Sequence, residues 1–346
     1  MRRKSGGWLA ATAVALCLAG CGGGGGSAPP PVVVAPTPSP APPPVPTPTP
    51  APASVEHDVL PALTSAQINI NLSSHYAINP APTVAARGRL FVMLPGTGAV
   101  PVFYRQILRV GAARGYHAIG LTYPNDAAIE LLCAGSPADC TALARQEIIT
   151  GADVSPLVAV NSANSINGRL AALLTYLQAQ YPAEGWGQYL VAGLPDWSRI
   201  SVGGHSQGAG HAAYMGKLVT LDRVAMFSGP ADNFAGGAAP WLGQPGQTSA
   251  ARHYGFTHSG DTIVPLALTL ATWSALGLPA SGPATNVDGG AAPFGNSHQL
   301  VTNVAPNLTV PNIAPEHSAT VVDAITPVTA QGAFVFEPVW TYMAFP

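Results

Sequence analysis

Charge is scarce in this 346-residue chain: Asp, Glu, Lys and Arg make up only 9% of it. Beyond Lys4 the single lysine is Lys217, and no acidic residue precedes Glu56. Setting aside Arg2, Arg3 and Lys4 leaves 11 basic residues against 16 acidic ones, so the rest of the chain is mildly acidic. The missing basic face argues against nucleic acid or an anionic membrane surface as a partner. Charged heptads are absent, which excludes a coiled coil, and 38 Gly with 36 Pro follow no G-X-Y period, which excludes a collagen-like helix. Long apolar runs are absent near the start too. Trp8 to Ala19 is too short for the roughly 20 residues that span a bilayer. Cysteine is confined to Cys17, Cys21, Cys133 and Cys140. With no H-E-x-x-H and no clustered Cys/His set, neither a metal site nor a cofactor is expected.

What is present falls into segments. Arg2-Arg3-Lys4 followed by the short apolar stretch has the form of an export signal, here residues 1–20. Its end, Leu18-Ala19-Gly20-Cys21, resembles the lipobox of bacterial lipoproteins. That resemblance implies cleavage before Cys21 and acylation of its thiol, placing the protein on a membrane, with Gly22 compatible with the outer one. An ordinary secretory signal with a chance cysteine is the plainer alternative. Residues 21–54 then carry a glycine run, Gly22 to Gly26, and 13 prolines between Pro29 and Pro52. Such a tract favours extended polyproline II and is expected to be a semi-rigid tether without a core. Cys133 and Cys140, flanking Gly135 and Pro137, suit a disulfide in an oxidising compartment.

Residues 55–346 suit one α/β domain. Arg89 to Leu94, His117 to Thr122, Arg199 to Gly203, Arg223 to Phe227 and His253 to Phe256 read as buried strands. Phe103 to Ala113, Ser165 to Tyr181 and Val264 to Leu276 read as helices, the second capped by Ser165. Strands alternating with helices imply a mostly parallel central sheet covered on both faces.

Gly204-His205-Ser206-Gln207-Gly208 matches G-x-S-x-G, and its context strengthens the match. The apolar strand Ile200 to Val202 leads in and a small-residue helix leads out. In that strand–turn–helix a serine is forced into a strained turn and needs glycine on both sides. Here the chain resembles the α/β-hydrolase family over most of residues 85–346. Residues 55–85 show no recognisable family feature. The resemblance implies a nucleophilic Ser206 after strand five. It also implies an oxyanion hole from the Gln207 N–H and one from the loop Leu94-Pro95-Gly96-Thr97-Gly98, with Thr97 or Gly98 as donor.

In the same family a carboxylate follows strand seven, which points to Asp261 in Phe256-Thr-His-Ser-Gly-Asp261. Asp232, after strand six, is the alternative acid, and either residue could simply cap a helix. For the base, His205 and His211 lie on the elbow segment and His258 is too close to Asp261. His298 is expected to be the base if Thr285 to Asp288 is the last parallel strand. In that topology Gly289 to Ser297 reaches the site, and Gln299 to Val304 carries the chain away. If Gln299 to Val304 is instead the parallel strand, His317 takes the role. The Gly/Pro/Ala-rich loop Pro230 to Ser249 is too short for a large lid, and its Trp241 is a candidate acyl-pocket residue.

The combined expectation is a membrane-tethered, exported serine esterase or lipase on a small-molecule or lipid ester. Peptidase, thioesterase and acyltransferase chemistry are variants of the same fold. A non-catalytic envelope lipoprotein built on the scaffold is the reading from another class.

Overall fold

The structure, a computed structural model, describes residues 53–346, so the signal, Cys21 and nearly all of the tether lie outside the described residues. Nine strands form the central sheet: β1 (Val55–Val59), β2 (His75–Asn79), β3 (Leu90–Leu94), β4 (His117–Gly120), β5 (Ile200–His205), β6 (Arg223–Phe227), β7 (His253–His258), β8 (Thr285–Asn286) and β9 (Gln299–Thr302). Their spatial order is β1-β2-β4-β3-β5-β6-β7-β9-β8. Only β2 opposes the rest, pairing antiparallel with both β1 and β4; every other pairing is parallel. This is an α/β architecture with a large, mostly parallel sheet.

The apolar run of β3 is continuous because both faces of the strand are covered. Leu90, Val92 and Leu94 join one core and Phe91 and Met93 the other, as the two-residue period of a strand requires. The first core is closed by Leu170, Leu173, Leu174 and Leu177 of the helix Ile166–Gln180 and by Ala209, Ala212 and Ala213 of the helix Gln207–Leu218. The second is closed by Ile107 and Leu108 of Arg105–Ala113 and by Val339, Trp340 and Met343 of Glu337–Ala344. Ser165 caps the long helix as expected, its Oγ accepting from the Gly168 N–H at 3.1 Å.

The end of the sheet departs from the expected topology. Gln299–Thr302 does not return the chain; it pairs parallel with β7, Gly255 opposite Gln299, and β8 pairs parallel on its outer side. Between β8 and β9 the chain therefore crosses back to the amino ends of the strands. The buried strand Gln299-Leu300-Val301-Thr302 pairs along its whole length with β7 in that slot and over two residues with β8, which takes the edge. The antiparallel β1–β2 pair and the helices Ile129–Leu132 and Cys140–Thr150 had no assignment from the sequence. A disulfide joins Cys133 to Cys140 between those helices, with Cα atoms 5.7 Å apart.

Candidate active site

Ser206 stands between β5 and the helix Gln207–Leu218 with φ 56° and ψ −119°. A non-glycine residue held there stores on the order of 1–3 kcal/mol of strain, sustained by the surrounding packing. Its N–H donates to the Phe227 carbonyl at 2.9 Å, and its own carbonyl accepts from the Ala209 N–H at 2.9 Å. The turn closes only over bare glycines. A Cβ on Gly204 would lie 2.0 Å from the Gly208 carbonyl oxygen, and one on Gly208 would lie 2.2 Å from that of Leu94. Both main-chain groups of Ser206 are thus tied into the scaffold.

The loop after β3 packs directly on this turn: a Cβ on Gly96 would meet the Ser206 Cβ at 3.2 Å. Three side chains fix its path. Tyr123 donates from its hydroxyl to the Pro95 carbonyl at 2.6 Å, Asn125 donates from Nδ2 to the Gly96 carbonyl at 2.6 Å, and the Gly96 N–H donates to the Tyr104 hydroxyl at 3.2 Å. The Gly98 N–H is already spent on the Asn125 carbonyl at 2.9 Å, which removes Gly98 as an oxyanion donor. Among the described residues the N–H groups of Thr97 and Gln207 have no hydrogen-bond partner, and Thr97 lines the same cavity as Ser206.

Asp261 follows β7 and is buried, accepting at Oδ1 from the Ile263 and Val264 N–H groups at 2.9 and 3.0 Å. Its Oδ2 accepts from Nδ1–H of His317 at 2.7 Å. His317 sits on the one-turn helix Pro315–Ser318, in the segment after β9. Since a carboxylate only accepts, Nδ1 is the donor in this bond, which leaves Nε2 as the ring nitrogen turned away from Asp261. His298 is elsewhere. It precedes β9 at the amino ends of the strands, where its Nδ1 bonds the His253 carbonyl at 3.0 Å and its ring stacks on Tyr254. The parallel direction of β9 therefore overturns the placement expected for His298 and meets the condition under which His317 is the expected base; the His317 ring packs 4.9 Å from that of His205, the neighbour of Ser206.

Asp232 is also committed away from any histidine. Arg145 grips it with two hydrogen bonds, 2.7 Å from Nε and 2.5 Å from Nη2, and the Trp241 indole donates a third at 3.1 Å. Asp232 and Arg145 are both fully buried. Trp241, expected in an acyl pocket, is buried against Tyr214 and lies outside the Ser206 cavity.

Sequence reasoning set His205 aside, yet it joins the parts. Its Nε2–H donates to the His317 carbonyl at 2.9 Å, so Nδ1 accepts from the Tyr104 hydroxyl at 3.0 Å. Burial, then the neighbouring His317, holds the His205 pKa down to about 3, and the ring stays neutral. One chain of hydrogen bonds thus runs from Gly96 through Tyr104 and His205 to the backbone of His317. The composition of the elbow hinted at none of it, because Tyr104 lies 101 residues away from His205 in sequence.

The cavity at Ser206 measures about 840 Å³ and is lined by Thr97, Leu131, Phe234, Ile263 and Leu268 among others. Leu131, Phe234 and Ile263 are exposed around it. Among the described residues no group of His, Cys, Asp and Glu is placed to hold a metal ion, and no helix is long and apolar enough to cross a membrane. No protein-family model matches the chain, and no curated protein matches it.

Proposed function

We propose that this protein is a serine hydrolase of the α/β-hydrolase fold that cleaves carboxylic esters outside the cytoplasm, tethered to a bacterial membrane through acylated Cys21. The observation that carries the reading is the 2.7 Å bond from His317 to Asp261, set against a strained Ser206 turn. The strand order and the position of Ser206 after the fifth sheet strand support the fold assignment.

His317 Nε2 takes the Ser206 proton as Oγ attacks the acyl carbon, and Asp261 stabilises the resulting imidazolium. The negative charge that develops on the carbonyl oxygen is met by the N–H groups of Thr97 and Gln207, which have no other partner to give up. Collapse expels the alcohol, protonated by His317, and leaves an acyl-enzyme. Water, activated by the same imidazole, then releases the acid. The helix Gln207–Leu218 begins directly after Ser206, so the positive end of its dipole lies beside the reacting group.

Hydrolysis of p-nitrophenyl butyrate by wild type and Ser206→Ala tests this, with a loss of at least roughly a thousandfold expected. Labelling by a fluorophosphonate and mapping of the modified peptide to Ser206 is the companion measurement. Equal rates in the two proteins, or label on another residue, would overturn the reading.

A further inference from the structure

We propose that the cavity at Ser206 recognises esters bearing a cationic group, with Glu130 as the residue that selects them; the inference rests on the hydrolase reading above. Among the described residues lining the cavity Glu130 is the sole ionisable side chain, since Cys133 is held in its disulfide. No lysine or arginine faces the space.

When Glu130 is ionised, the charge on this wall is not neutralised. Glu130 accepts from Arg145 Nη2 at 2.9 Å, but the same guanidinium is already gripped by Asp232 on two nitrogens. One cation therefore serves two carboxylates, and one negative charge is left over. It resides at the member of the trio nearest solvent: the Glu130 side chain is 14% exposed, while those of Arg145 and Asp232 are at 0%. Asp261, next to Thr262 of the same wall, is a further carboxylate and is bonded to His317. Burial first of all, together with the neighbouring Asp232, raises the Glu130 pKa against the pull of Arg145, so the empty cavity favours its neutral form. A bound cation would side with Arg145 and hold Glu130 ionised.

The rest of the lining suits a large, weakly hydrated cation better than a compact one. Phe234, Leu131 and Ile263 present apolar surface beside Glu130, and an aromatic face attracts quaternary ammonium groups. An anionic group in the same place would face unbalanced carboxylates across apolar walls.

The test compares two butyrate esters of equal shape, 2-(trimethylammonio)ethyl butyrate and 3,3-dimethylbutyl butyrate, which differ by N⁺ for C. Wild type is expected to favour the cationic ester in kcat/KM by about tenfold or more, the order of one partly screened charge pair. Glu130→Gln keeps an oxygen for Arg145 and is expected to bring the ratio within about threefold of unity. A preference absent from wild type, or unchanged in Glu130→Gln, would overturn the inference while leaving the hydrolase reading intact. A second arm needs no turnover: calorimetric binding of butyltrimethylammonium to Ser206→Ala, expected to weaken by a similar factor when Glu130→Gln is added. If wild type hydrolyses neither ester, the hydrolase reading fails, and equal or absent binding in this second arm overturns cation recognition by itself.

Discussion

Acidification from pH 7 to pH 5 is expected to remove much of the folding stability of this domain, because it buries several histidines in the neutral form. His75, His205, His211 and His253 are each at most 5% exposed. Burial holds His75 and His205 down to about 3 and His253 to about 4, and takes His211 well below its usual value. An unfolded histidine takes its proton near pH 6.5, whereas these do so only far lower. The folded pKa is depressed, so their contribution is complete above pH 6.5 and is lost as the pH falls. The loss is about 1.4 kcal/mol per pH unit and group, hence about 2 kcal/mol each at pH 5 and about 6 for His75, His205 and His253 together, with His211 acting in the same direction. Asp323 opposes them. Burial raises its pKa to about 7, so it gains protonated stability as the pH falls below 7, about 3 kcal/mol by pH 5. Roughly 3 kcal/mol of net loss remains before His211 adds to it, a sizeable share of the whole stability of many domains. Urea unfolding at the two pH values measures it. His75→Asn isolates one term: the asparagine oxygen can still accept the Thr122 N–H that His75 Nδ1 accepts at 3.0 Å, but it does not titrate. The loss between pH 7 and pH 5 is expected to be about 2 kcal/mol smaller in that variant. Stability that is flat between pH 7 and pH 5, or an unchanged slope in His75→Asn, would refute the reasoning.

Three further outcomes are expected. His317→Ala is expected to lower kcat/KM on p-nitrophenyl esters by roughly 10³-fold or more, and His298→Ala to leave it within a few-fold, the reverse pattern being incompatible with the proposed base. Gly204→Ala, with a Cβ 2.0 Å from a carbonyl oxygen, is expected to yield little folded protein, so a soluble variant with wild-type melting behaviour would contradict the turn geometry. Arg145→Met strands two carboxylates in the interior and is expected to destabilise by about 3–5 kcal/mol, read from the shift in urea midpoint.

The elbow shows how far local pattern reaches. Gly204 and Gly208 mark a place where only hydrogen fits, and the apolar Ile200 to Val202 marks the strand that leads there, so the conformation of Ser206 was legible from a dozen residues. Asp261 was reached instead through the family resemblance, which places a carboxylate in the turn after a buried strand and left Asp232 as the alternative. The edge strands β1 and β2 were not. Val55-Glu56-His57-Asp58-Val59 is short and mostly exposed, with ion pairs such as Arg109 to Glu56 in place of an apolar face. The helix Cys140–Thr150 was missed too, though it carries Arg145 into the core, since a buried arginine disguises an apolar face.

What the sequence determined by itself was the set of groups whose conformation depends on near neighbours along the chain: the glycine-flanked serine, the closely spaced cysteine pair and the two-faced strands. Which histidine meets Asp261 depended instead on the direction of β9, and strand direction is set by pairing with β7 and β8, partners distant in sequence. The same holds for Arg145 with Asp232 and Glu130, and for Tyr104 with His205. A buried hydrogen bond between remote residues leaves no periodicity in either segment. Only the packed sheet and its helices bring such partners within reach, and only there does desolvation make the bond between them decisive.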